Sequence, residues 1–92
     1  MKYTDTIKGQ YYKYLYVGYN YYVIGRCTES GTYIASGLKL TMDNEPREYF
    51  PNGTFSSSTS IEPLTNQQDI DWIDLCIENN KLMPKPEQYA IY

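Results

Sequence analysis

From residue 10 to 17 the chain reads QYYKYLYV, a run of strong β-formers that repeats every second position. Tyr12, Tyr14 and Tyr16 fall on one side of such a strand, and Tyr11, Lys13, Leu15 and Val17 on the other. Gly18-Tyr19-Asn20 is turn chemistry, and residues 21–27 (YYVIGRC) then return antiparallel, with Gly25 a candidate bulge. Glu29-Ser30-Gly31 predicts the next turn. Residues 32–41 predict a third strand, with Ile34, Leu38 and Leu40 on one face and Tyr33 and Lys39 on the other. Asp43-Asn44-Glu45-Pro46 is a further turn. Glu48-Tyr49-Phe50 predicts a short strand stopped by Pro51, and Asn52-Gly53 is a hairpin-type dipeptide. Thr54-Phe55 and Ser60-Ile61 supply material for one more strand before Pro63.

The period changes after Pro63. Over residues 65–82 Ile70, Trp72, Ile73, Cys76 and Ile77 fall on one arc at helical spacing, and Asp71, Asp74, Glu78 and Lys81 on the opposite one. Leu75 lies off the apolar arc. Thr65 reads as the N-cap, with Gln68 completing a capping box. Asn79-Asn80 and Pro84 end the helix. The pattern therefore predicts an α+β fold over a single domain, residues 1–92: a small twisted antiparallel sheet of four or five strands within residues 10–62, the C-terminal helix 65–82, and a tail 83–92. A partly open barrel resembling the SH3 type is the first choice, because the strands are short and closely spaced. A flatter sheet crossed by one helix is the alternative. The tail, ending Tyr89-Ala90-Ile91-Tyr92, is expected to add an edge strand or a subunit contact.

Composition narrows the chemistry. With no histidine, Ser-His-Asp triads, Cys-His pairs and His-ligated zinc are excluded. Cys27 and Cys76 cannot make a four-thiolate zinc site, stand outside any C-x-x-C motif, and read as buried free thiols. The six glycines form no phosphate loop. Asp71, Asp74 and Glu78 read as a solvated helix face, since no calcium-loop spacing accompanies them. Nothing calls for a metal, a cofactor or an enzyme. The polar N-terminus and the lack of a long apolar run predict a soluble, cytoplasmic protein without a membrane segment.

Tyrosine is the unusual number, 12 residues in 92. Its ordinary role is core and cross-strand pairing. The sharper reading is an outer-face row, Tyr12, Tyr14 and Tyr16, flanked by Arg26, Lys39 or Arg47, available to a partner protein or a small nucleotide-derived ligand. Long nucleic acid is a poor partner, because the net charge is −3 and phosphate binding needs a dense basic track. The whole deficit falls after residue 64, where five acids face two bases. A small ligand would need the enclosure of a homo-oligomer.

The helix carries Trp72-Ile73-x-Leu75-Cys76-Ile77-x-x-Asn80-Lys81, preceded by Pro63-Leu64-Thr65. This segment of about 20 residues resembles a group of small bacteriophage and prophage proteins. In that group tyrosine-rich strands precede a helix bearing W-[LI]-x-x-C-I-x-x-[NG]-K. The resemblance implies a viral origin, action in the host cytoplasm, and a helix docked through Trp72, Cys76 and Ile77. It carries over no catalytic residue. The first helical turn departs from the group, with Thr65-Asn66-Gln67-Gln68 where Pro and Glu are usual. Together these observations lead to an expectation of a non-enzymatic accessory protein that binds a host protein; counter-defence is the purpose that the resemblance, and not the residues, suggests. An oligomeric sponge for a nucleotide-derived immune signal is the alternative.

Overall fold

The computed structural model describes residues 1–86. It contains β1 (Tyr11–Leu15), β2 (Tyr21–Cys27), β3 (Ile34–Thr41), β4 (Pro46–Thr54), β5 (Ser60–Pro63) and α1 (Gln67–Asn79), after a single 3-10 turn at Tyr3–Asp5. The strands form one antiparallel sheet in the order β4-β3-β2-β1-β5. This is the α+β architecture of five short strands and one helix that the periodicity predicts. Of the tail read from sequence as an edge strand or contact, residues 87–92 lie outside the described residues.

Three of the boundaries that moved did so for an identifiable local reason. The helix begins two residues late, because Asn66 rather than Thr65 caps it: the Asn66 side chain accepts from the Asp69 amide at 3.1 Å. It ends at Asn79, because Asn80 turns left-handed (φ 50°) and the Lys81 amide folds back to the Cys76 carbonyl. β4 does not stop at Pro51. It runs nine residues through both Pro46 and Pro51. It is an edge strand, so a missing N–H can face away from the ladder, and two bulges against β3 absorb the irregularity. The Pro51 carbonyl accepts from the Ser36 hydroxyl at 2.7 Å. Asn52-Gly53 is accordingly strand rather than turn, and the chain reverses after Phe55 instead.

Gly25 is not a bulge. It pairs in register with Gly37. A Cβ on Gly25 would stand 2.8 Å from the Ser36 carbonyl oxygen, and one on Gly37 would stand 2.9 Å from that of Ile24. Side chains are excluded there by the closeness of neighbouring strands, which leaves a bare strip across the sheet between Tyr12 and Phe50.

Both sheet faces are buried. On one, α1 lies across β2 and β3 and inserts Trp72, Ile73 and Cys76 among Ile24, Leu38 and Leu40. The Trp72 indole N–H donates to the Met83 carbonyl at 2.7 Å, so the chain after the helix is held against it. On the other face, Tyr12, Tyr14 and Tyr16 pack with Val23, Cys27, Ala35, Phe55 and Ile61. Phe55, from the loop between β4 and β5, approaches Tyr14 (5.1 Å between centroids) and Phe50 (5.8 Å) and fills the gap between the two edge strands. Cys27 and Cys76 are free and buried in different clusters on opposite sides of the sheet. Among the described residues no helix is long and apolar enough to cross a membrane.

The expected outer row of tyrosines is therefore an inner row: Tyr14 is 0% exposed, Tyr12 4% and Tyr16 9%. Tyr12 accepts a hydrogen bond from the Ile7 amide at 2.9 Å, whereas the buried Tyr14 hydroxyl finds no partner among the described residues. Tyr14→Phe is expected to leave stability unchanged or raise it by up to about 1 kcal/mol, while Tyr14→Ala should cost about 3–5 kcal/mol. Urea unfolding of both variants checks this; a phenylalanine variant as unstable as the alanine one would contradict it.

Burial also dictates behaviour in alkali. Desolvation raises the Tyr16 phenol from 10.0 to about 12 and that of Tyr14 further still. It is also the main cause of the upward shifts of Tyr11, Tyr22 and Tyr49. In each case the folded state holds the proton more tightly than the unfolded chain. Their contribution to stability is thus complete below pH 10.0 and is lost as pH rises through the raised values. Tyrosinate absorbance followed with far-UV circular dichroism should show a phase that coincides with unfolding; complete tyrosine ionisation in a chain that keeps its circular dichroism would contradict this account.

Candidate functional site

The strand register gathers part of the predicted site at one end of the sheet. Tyr21 pairs with Thr41 across β2 and β3, so the β1–β2 and β3–β4 turns project side by side. At this end Tyr16, Tyr19 and Tyr21 form a cluster. Tyr16 and Tyr21 lie 5.0 Å apart between centroids, and Tyr19 meets Tyr21 edge-on at 5.5 Å and Tyr16 at 6.2 Å. Such tilted and edge-on pairs are the favoured aromatic arrangements. The Lys39 ammonium lies 4.1 Å above the Tyr21 ring, a cation–π contact. Arg47 lies beyond it on β4.

These residues border a shallow groove. One section, about 560 Å³, is lined by Asn20, Tyr21, Lys39, Thr41, Arg47 and Glu48. A second, about 230 Å³, shares Tyr21 and Lys39 and continues over Tyr16, Phe50 and Phe55. The floor is aromatic and the far end cationic. Among the described residues the ion pairs are Arg26–Asp74 and Lys85–Asp69, so neither Lys39 nor Arg47 is neutralised by a carboxylate. Glu48 is the register partner of Lys39 but forms no ion pair with it. On the turns beside the groove Val17 (78% exposed), Tyr19 (60%) and Met42 (63%) stand in solvent.

Of the six residues singled out from sequence, Tyr16, Lys39 and Arg47 meet at this groove. Tyr12 and Tyr14 are sealed behind it. Arg26 is on the opposite face, where its guanidinium lies 3.3 Å from the Asp74 carboxylate and Tyr11 donates to the same carboxylate at 2.6 Å. That cluster joins α1 to the sheet. It also takes Asp74 out of the solvated helix face; Asp71 accepts from Gln67 at 2.9 Å, and Glu78 is exposed. Burial, then the Asp74 hydrogen bond, raises the Tyr11 phenol. A second depression, about 380 Å³, lies between β1, β2 and the start of α1. Lys85 lies over it, pairing with Asp69 at 2.8 Å and approaching the Trp72 ring at 5.6 Å.

Sequence reasoning missed Tyr19, Tyr21 and Phe50. The first two were legible in principle. Closing a hairpin about Gly18 sets Tyr21 opposite Tyr16, with Tyr19 in the connection. Phe50 was not, because its place follows from the bulged register of β4 on β3.

The Tyr11–Asp74–Arg26 cluster should matter unequally. Tyr11→Phe removes a short charge-assisted bond and should destabilise by about 1–2 kcal/mol. Arg26→Ala breaks a half-exposed pair and should cost less than about 1 kcal/mol. Thermal or urea unfolding orders the two, and the reverse order would show that the guanidinium, not the phenol, holds the helix.

No family model, no curated protein and no solved structure matches this chain.

Proposed function

We propose that the chain is a non-enzymatic binding protein that engages a host protein through the hairpin end of its sheet, as a phage accessory factor would. The observation that carries this reading is the concentration of exposed Val17, Tyr19 and Met42 beside an aromatic groove with two unneutralised cations. Solitary exposed apolar residues are ordinary. A group of them on adjoining turns, with tyrosine, methionine and arginine prominent, has the composition of an interface core. The viral origin rests on the resemblance of the α1 segment, and counter-defence is the purpose that origin would serve. Burial of Tyr12 and Tyr14 removes the row on which both the interface reading and the nucleotide-sponge alternative first leaned, so the interface now rests on the turn residues and the groove, and the sponge loses the rings it counted on for stacking. That alternative retains Tyr21, Lys39 and Arg47, and it needs a second copy to enclose a small ligand.

The decisive comparison is between the wild-type chain and a Val17→Asp, Tyr19→Ala double variant. Both positions are exposed, so the variant should keep its melting temperature within a few degrees. Affinity capture from host lysate should recover a stoichiometric protein with the wild type and lose it with the variant. Equal recovery by both, or no stoichiometric protein with either, would overturn the reading.

A further inference from the structure

We propose that the groove accepts an extended peptide segment of the partner in which an apolar side chain is followed two residues later by a carboxylate. This rests on the interface reading above and specifies what the interface recognises. The spacing comes from the sheet itself. Gly37 pairs with Phe50 and Lys39 with Glu48, so Phe50 and Lys39 are offset by one pleat. Two residues of extended chain span about 7 Å. A strand-like peptide lying along this path sets side chains i and i+2 on the same side, one over Phe50, the next at Lys39 and Arg47.

Charge fixes the second position. The protein carries net charge −3, yet the two cations here have no carboxylate partner among the described residues. The Lys39 ammonium is held at 4.1 Å over Tyr21, which keeps it within the groove instead of extended into water. An incoming carboxylate would meet a cation already positioned. Glu48 is the opposing group, an exposed acid lining the same groove, and it sets a limit on affinity that its removal should lift. A shallow groove suits a peptide better than a small molecule, which needs most of its surface enclosed.

The test titrates the isotope-labelled full chain with three capped hexapeptides in a Gly/Ser background, observed by amide chemical shifts. One carries Leu and, two positions later, Glu; one carries Leu and Glu adjacent; one replaces the Glu of the first with Gln. The first should shift the amides of Tyr21, Lys39 and Phe50 and bind roughly two- to fivefold tighter than either control. Lys39→Met should erase that preference, and Glu48→Gln should strengthen binding by a similar factor. Absence of binding, equal binding of all three peptides, or shifts confined to the α1 face would overturn the proposal. So would tighter binding of a cyclic dinucleotide or an ADP-ribose derivative at the same amides. If the double variant loses a captured host protein while no peptide binds, the peptide assignment falls and the interface reading stands. If the peptides bind as expected but capture is unaffected by the double variant, the reverse holds.

Discussion

Among the described residues one face of the sheet has no helix to cover it, and the rest of the structure follows from how that face is closed. The described residues form one α-helix, and it lies across β2 and β3 on the opposite side. The uncovered side is closed by the sheet's own rings. Tyr12, Tyr14 and Tyr16 rise from β1, the central position of Phe55 comes from the β4–β5 loop, and Ile61 and Phe50 arrive from the two edge strands. Tyrosine suits this duty because its ring supplies area while its hydroxyl can reach a polar group at the rim, as Tyr12 does at the Ile7 amide.

The same closure shapes the candidate site. At the hairpin end the tyrosine layer runs out, so rings that would be core elsewhere become partly accessible: Tyr16 at the boundary, Tyr21 half-buried, Tyr19 in solvent. Lys39 occurs on the tyrosine face in register with Val23, and it reaches water only because it lies next to this opening. The groove is thus the unfinished end of a core, with a cation placed over its last ring. The helix face offers less. Its polar groups are largely spent on holding α1 and the following chain in place, through Asp74 with Tyr11 and Arg26, Asp69 with Lys85, and the Trp72 indole with the Met83 carbonyl.

Much of the fold was legible because it depends on short-range rules. Period two located β1, β2 and β3, and period 3.6 located α1 with Trp72, Ile73 and Cys76 inward. β4 was read too short, because a proline ends a central strand but not an edge one, and edge position is a property of the assembled sheet. The site was legible in its residue types and only half legible in its membership. Lys39, Arg47 and Tyr16 belong to it. Arg26 had the same apparent credentials and lies through the sheet from them, committed to the helix.

The sequence by itself determined that β1 has one face of tyrosines and one of mixed character, that the C-terminal helix is amphipathic, and that no histidine chemistry is available. Only the tertiary structure decided which face is covered, and by what. Alternation separates two sides of a strand but carries no label for inside when both are apolar enough to bury. That label came from Phe55, which is distant from Tyr14 in the chain and lies 5.1 Å from it in the fold.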